Sequence, residues 1–267
     1  MPEKKQRLDR VVMNMGLAQS RQHSQALIMA GKVLVNRQPV EKPGTFVSKS
    51  DEIILKGEQI PYVSRGGLKL AAALNAFKIN VKGRICLDVG AATGGFTDCL
   101  LQHGADRIFA VDVGYGQLAW KIRQNPRVVV IERMNIRYIP YEAIGELVDL
   151  VTIDVSFISL KIVVPTALKF LKQQAEILAL IKPQFEVGKG RVGKGGVVRN
   201  PALHNEVIDE LTDFFLNLGL IRRCLIPSPL LGPKGNKEFF IHLNYEKNEA
   251  PCSPAAAGQG IQAKANK

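Results

Sequence analysis

Between residues 84 and 182 five short, β-rich apolar runs are separated by helix-length segments: RICLDVG, RIFAVDVG, RVVVIER, VDLVTIDVS and EILALIK. Strands joined in this way cannot pair as hairpins, so the pattern predicts a mostly parallel sheet with helices on both faces. Sheets of this kind bind ligands beyond the carboxyl ends of their strands. The first run ends in a carboxylate, Asp88, and passes at once into GAATGGFT. Gly90, Ala91, Gly94, Gly95 and Phe96 therefore fall where a ligand would sit. Glycine allows close backbone approach, and a helix opening near Gly94 would aim its unpaired N–H groups at the same place.

The ligand is narrowed by spacing. The glycines do not fit the G-x-G-x-x-G dinucleotide fingerprint, and no Gly-Lys-Ser/Thr of a P-loop follows. Asp112 closes the second run roughly 20 residues after the turn, where a carboxylate can accept from a ribose diol. Asp88 and Asp112 together suit S-adenosylmethionine; a nicotinamide cofactor and plain strand-end carboxylates stand as the alternatives. Tyr115 and Asn135 fall near the tips of the second and third strands, as adenosine-pocket or ordinary loop residues. Asp154 ends the fourth run and Lys182 the fifth, so both face the crevice of Gly90.

Ahead of this region lies a smaller unit. RLDRVVMNMG places Leu8, Val11, Val12 and Met15 on one helical stripe that Gly16 can end. A second helix is expected from an N-cap at Ser20, carrying Ala26, Leu27 and Ala30 to a stop at Gly31. KVLVNRQPV then alternates and turns at Asn36-Arg37, and DEIILKG reads as another strand. Arg7, Arg10, Arg21, Lys32 and Arg37 flank these elements, either as a face for phosphates or as solvated charge. PYVSRGG reads as a hinge, and LKLAAALNAFKI as a helix with Leu70, Leu74 and Phe77 on one side.

The formal charge of +12 and a pI near 9.6 favour a polyanionic partner, nucleic acid before an anionic membrane surface. VDLVTIDVSFISLKIVVPTALKF is the most apolar stretch, yet Asp149, Asp154 and Lys161 interrupt it, so no membrane span is predicted. MPEKKQRLDR lacks the apolar core of a signal peptide, and the chain is expected in the cytoplasm. Cys86, Cys99, Cys224 and Cys252 form no C-x-x-C pair; His23, His103, His204 and His242 are scattered, so reduced thiols and no metal site are expected. EVGKGRVGKGGVVRN, residues 186–200, reads as a flexible basic loop whose Lys189, Arg191 and Lys194 could clamp an RNA backbone or simply be solvated.

Two resemblances sharpen this reading. Ser20, Arg21, Ala26, Leu27, Ile28, Gly31, Val33, Val35 and Asn36 match the signature of the S-four-type RNA-binding domain, with Arg37 where a glycine is common. DVGAATGGFTDCLL resembles the first motif of class I methyltransferases, especially the FtsJ-like 2'-O-ribose branch. With PYVSRGGLKL, VDVGYGQL, IDVSFISL, LIKPQFEVGK, GKGGVVR and SPLLGPKGNKEFF, residues 5–245 resemble the TlyA family, often labelled haemolysin A. The resemblance implies a class I fold, S-adenosylmethionine as cofactor and a cytidine ribose 2'-hydroxyl in ribosomal RNA, of either subunit, as acceptor. It carries a Lys-Asp-Lys-Glu tetrad onto Lys69, Asp154, Lys182 and Glu238, with Lys182 as the central base or hydroxyl-orienting group.

The expected layout is an S-four-type domain at 1–60, a linker at 61–67, an FtsJ-like domain at 68–246 and a disordered tail at 247–267. Ribosomal RNA or ribosomal subunits are the expected partners, and the oligomeric state is left open. Two rival readings differ in class: a non-catalytic RNA-binding or ribosome-assembly factor, and a haemolysin. The intact tetrad opposes the first, and the absence of a signal peptide or spanning segment opposes the second.

Overall fold

The computed structural model describes residues 5–18, 20–48, 50–56, 60–188 and 190–246; Lys189, Cys252 and the tail at 247–267 lie outside them. The first unit runs β1 (Gln6–Arg7), α1 (Leu8–Asn14), α2 (Arg21–Met29), β2 (Val33–Val35), β3 (Gln38–Pro39), β4 (Phe46–Val47) and β5 (Ile53–Leu55). β2 pairs antiparallel with β3 and β5, and β1 with β4. The β2–β3 hairpin needs two left-handed residues, and Asn36 (φ 49°) and Arg37 (φ 67°) supply them without a glycine. Asn36 is suited to the turn because its side chain donates to Asp51 and accepts from the Glu52 backbone N–H, tying the hairpin to β5.

Ser24 and Ile28 are buried, whereas Ala26 and Ala30 are exposed and Leu27 is half-buried. The reason is the α1–α2 contact: the Ser24 hydroxyl donates to the Asp9 carbonyl at 2.8 Å, and a small side chain there lets the helices approach. Met15 is likewise exposed, leaving Leu8, Val12 and Ile28 to form the small core with Val33, Val47 and Ile53.

The second unit continues with α3 (Arg65–Phe77), β6 (Ile85–Val89), α4 (Gly95–Gln102), β7 (Arg107–Val111), α5 (Trp120–Arg123), β8 (Val128–Ile131), β9 (Val148–Ile153), α6 (Leu160–Ala167), β10 (Leu171–Ile181), α7 (Pro183–Glu186), α8 (Pro201–Asn217), β11 (Leu220–Pro227) and β12 (Phe239–Glu246). Its seven-stranded sheet has the order β11-β12-β10-β9-β6-β7-β8. β10, β9, β6, β7 and β8 are parallel, and β12 is antiparallel to both β10 and β11. Two apolar cores cover its faces, one around Phe170 and Phe215, the other around Leu100 and Phe240. Cys86 and Cys99 pack in the second of these, and burial pushes both thiols up to about 12; Cys224 is exposed. The register pairs Val89 with Ile153, Ile153 with Ala179 and Ile181 with Phe239, which aligns four strand ends along one rim.

The hinge reading of PYVSRGG is corrected. α3 begins at Arg65, so Gly66 and Gly67 lie in its first turn. The segment before it is strapped to α4: Val63 N–H donates to Asp98 at 2.8 Å, and Gln102 donates to the Pro61 carbonyl at 2.9 Å. The glycines serve close packing rather than freedom. A Cβ on Gly67 would lie 2.2 Å from the Tyr62 ring, and one on Gly95 would lie 2.2 Å from Ser64 Oγ and 2.9 Å from Gly67 N. Gly95→Ala is therefore expected to cost about 1–3 kcal/mol through overpacking, read as a lower urea midpoint at unchanged slope; an unchanged midpoint would contradict this packing.

Candidate active site

The rim of the sheet gathers the chemistry. Gly90 follows β6 with φ 87°, and a Cβ there would meet the Asp154 carbonyl oxygen at 2.6 Å. Asp154 N–H donates to Val89 O at 3.0 Å, so the two strand tips stay in backbone contact to their ends. Beyond β10, Lys182 Nζ approaches Asp154 Oδ1 at 2.6 Å and donates to Ser156 Oγ at 3.1 Å. The first contact is an ion pair rather than an aligned hydrogen bond, since Asp154 Oδ1 is buried and accepts none. Next along the rim, Lys69 of α3 donates to Glu238 Oε2 at 2.5 Å, just before β12. Glu238 is 2% exposed; its Oε1 has no hydrogen-bond partner and lies against the Gly232 α-carbon, where a Cβ would come within 1.9 Å.

The four tetrad residues thus form two ion pairs, Lys182–Asp154 and Lys69–Glu238, on adjoining strand ends. Low accessibility strengthens both pairs, and each cation offsets the cost of burying its carboxylate. Sequence reasoning missed Asn236, Gly232 and Ser156. Asn236 accepts from Val198 N–H and donates to Gly196 O, which fixes the glycine-rich loop beside Glu238. Residues 193–198 are therefore pinned, contrary to the flexible loop expected for them. The signal available in the sequence was GPKGNKEFF, where an asparagine and two glycines precede the tetrad glutamate.

Two cavities share Gly90, Ala92, Asp154 and Ser156 as a wall. One, of about 430 Å³, opens toward Asp112, Asn135 and Phe157; the other, of about 180 Å³, opens toward Phe96 and Lys182. The larger falls within the range of roughly 300–1,000 Å³ of small-molecule sites. Asp112 is held by Ala92 N–H at 2.8 Å and Gly114 N–H at 2.7 Å, which leaves carboxylate lone pairs for a diol. Asn135 lines this cavity and accepts from Arg137 N–H, capping a short 3-10 turn. Gly90, Ala91, Gly95 and Phe96 line the smaller one, while Gly94 (φ 93°) packs on Leu118. Carboxylate, glycine cradle and cavity fit an adenosyl cofactor.

Asp88 does not face the cavities and is corrected as a ligand contact. It is fully buried, accepts from Thr97 Oγ1 at 2.6 Å and Thr152 Oγ1 at 3.1 Å, and underpins the turn from below. Its neighbours in the sheet, Ala110 and Thr152, enclose it, and burial pushes its carboxyl up to about 7. Tyr115 lies outside both cavities with the Arg133 guanidinium 4.0 Å over its ring. Phe157, by contrast, has φ 64° and is 89% exposed at the larger cavity, with its ring tilted against that of Phe185.

The basic residues divide. Arg7 and Arg21, with Gln25, all donate to the buried Asp9 carboxylate at 3.0–3.1 Å. The Arg7 fork is the main reason the Asp9 carboxyl is held well below its usual range. Arg37 sits 3.6 Å from Glu52, and Arg191 pairs with Glu206. Arg10, Lys32 and Lys194 are exposed. Arg7, Arg21 and Arg191 are thus oriented by acidic partners, which a linear reading of charge does not reveal. Among the described residues no group of three or more His, Cys, Asp or Glu side chains could hold a metal ion.

Comparison with known proteins adds the following. The profile of the FtsJ-like methyltransferases matches residues 62–245, and that of the S4 domain residues 6–53. A 16S/23S rRNA (cytidine-2'-O)-methyltransferase, TlyA, of Mycobacterium tuberculosis is 48% identical over 91% of this chain and 91% of its own length. A candidate rRNA methyltransferase of Bacillus subtilis is 46% identical over 92% and 88% respectively. A solved hemolysin-like structure from Streptococcus thermophilus has a TM-score of 0.71 at 41% identity, covering 94% of this chain and 92% of that one.

Two outcomes are expected. Gly232→Ala displaces the Glu238 carboxylate and should lower methyl transfer about tenfold or more at near-normal stability; full activity would mean that Glu238 tolerates displacement. Asp88 binds a proton more readily folded than unfolded, so its contribution to stability is present below pH 4 and is lost as pH rises through about 7. Asp88→Asn should therefore gain stability relative to the parent between pH 5 and pH 8, by up to about 3 kcal/mol, in urea titrations at each pH.

Proposed function

Since this chain belongs to the FtsJ-like methyltransferases, in the TlyA family of ribosomal RNA methyltransferases, we propose that it methylates a cytidine ribose 2'-hydroxyl of ribosomal RNA. The observation that carries the reading is the row of strand ends on which the glycine turn, Asp154, Lys182 and Glu238 stand side by side. S-adenosylmethionine, when bound, supplies an electrophilic methyl on a sulfonium. Asp112 and Asn135 hold its adenosine half, and Gly90 to Phe96 form the cradle beneath the rest.

Methyl transfer requires the acceptor oxygen in line with the methyl carbon and a route for its proton. Lys182 lines the smaller cavity, ion-paired with Asp154 and donating to Ser156. An ammonium has three N–H donors, so donors remain to orient the 2'-oxygen. Asp154 fixes the position of Lys182, and the Lys69–Glu238 pair sets the charge on the far side of the acceptor ribose. The 2'-hydroxyl proton would pass to a carboxylate of this same network as the new O–C bond forms and the methyl's C–S bond breaks, its electron pair staying on sulfur. The exposed ring of Phe157 offers a surface on which the base can stack once it leaves its helix.

The N-terminal unit docks structured RNA through Arg7, Arg10, Arg21, Lys32 and Arg37, and Arg191 and Lys194 of the basic loop add contacts. The reaction takes place in the cytoplasm, on ribosomal RNA or on a ribosomal subunit. Among the described residues no helix is long and apolar enough to cross a membrane. The non-catalytic alternative leaves two poorly solvated ion pairs on this rim without a purpose.

The test is transfer of labelled methyl from S-adenosylmethionine to ribosomal subunits lacking 2'-O modification, with wild type and Lys182→Ala in parallel and nuclease mapping of the product. Label on a ribose 2'-oxygen with wild type alone is expected; cofactor binding without label on subunits or free RNA would overturn the reading. Asp112→Ala should weaken S-adenosylhomocysteine binding about tenfold or more by calorimetry, the loss of a charge-assisted contact of roughly 1.5–3 kcal/mol.

A further inference from the structure

The one-turn helix α7 lies across the segment that follows β9 and touches it at three successive points. Lys182, at its N-terminus, pairs with Asp154 and donates to Ser156. The Phe185 ring meets that of Phe157 at 5.0 Å between centroids. Glu186 closes the row: its Oε2 accepts from Ser159 Oγ at 2.6 Å and its Oε1 from Leu160 N–H at 2.9 Å. KPQFE of α7 is thus laced onto DVSFISL, and the first lace is the Lys182–Asp154 pair itself.

The laced segment lines the larger cavity from Asp154 to Ile158 and gives Asp154 and Ser156 to the wall shared with the smaller one, and it does not hold itself in place. Phe157 occupies the left-handed region, which disfavours a residue with a bulky side chain, and the exposed residue recovers little by burial. One end of the segment is fixed by the Asp154–Val89 backbone bond. The other is fixed by Glu186. Ser159 caps α6 by accepting from Lys161 N–H at 3.1 Å, and Glu186 takes up the neighbouring unpaired Leu160 N–H from a separate element, so the cap of α6 is also a tie to α7. A largely buried carboxylate raised by desolvation is a costly group, and here it bridges two segments 26 residues apart.

We propose that Glu186 is a positioning residue for methyl transfer: by anchoring Ser159 and Leu160 it fixes the Asp154–Phe157 wall against which Lys182 and the acceptor ribose are aligned. This rests on the methyltransferase reading above. Sequence inspection put Glu186 at the head of a basic loop; the structure turns it inward.

The experiment compares full-length wild type, Glu186→Gln and Glu186→Ala, at saturating cofactor, for kcat and KM on ribosomal subunits lacking 2'-O modification. Hydrogen exchange over residues 155–161 and thermal midpoints are followed on the same samples. Misplacement of catalytic groups by about 1 Å can cost on the order of a hundredfold. Glu186→Ala should therefore lower kcat about tenfold or more, leave KM for the subunit within about threefold and speed exchange at Leu160. Glu186→Gln, which keeps one acceptor, should recover most of kcat. A kcat for Glu186→Ala within about twofold of wild type, or a loss that only follows the folded fraction, would overturn the proposal. Absence of ribose label with wild type would instead remove the reading on which it stands, and the proposal with it.

Discussion

The site depends on how closely two backbones can approach. Where β6 ends, Gly90 lies so near the Asp154 carbonyl that no side chain larger than hydrogen fits, and that contact brings the glycine turn and the first tetrad carboxylate onto one wall. The parallel order β10-β9-β6 and the antiparallel β12 then extend the wall to Lys182 and Glu238 without a long loop. Of the proposed catalytic residues, Asp154, Lys182 and Glu238 stand at strand ends, and strand ends move little, which suits a reaction limited by alignment.

Electrostatics follow from this geometry. Two lysines and two carboxylates crowd into a poorly solvated rim, and pairing them one to one makes the arrangement tolerable where any single member would be costly. The N-terminal unit uses the same device at its surface, where buried Asp9 orients Arg7 and Arg21 together. A guanidinium held by a carboxylate loses less rotamer entropy on meeting a phosphate than a free one, so part of the positive charge is organised in advance for a polyanion.

Glycine plays two parts that look identical in a linear string. Gly90 and Gly94 adopt positive φ at the cradle. Gly67, Gly95 and Gly232 have ordinary backbone and are required only because a neighbour occupies the space of a Cβ. PYVSRGG reads as a hinge for this reason, although its two glycines lie in the first turn of the helix that carries Lys69 to Glu238.

The sequence alone determined the alternation of strands and helices, the place of the glycine turn, the acidic residues at strand ends and the small α+β unit ahead of them. Those features are local: hydrophobic period, turn chemistry and caps act over a few residues. Tertiary structure decided the rest. It buried Asp88 beneath the turn, set Ser24 rather than Ala26 at the helix contact, tied Arg191 to Glu206 and brought Glu186 back onto Ser159. Each of these is settled by which side chain meets which across a gap in the chain, and burial, charge and space at such contacts have no signature in the spacing of residues along it.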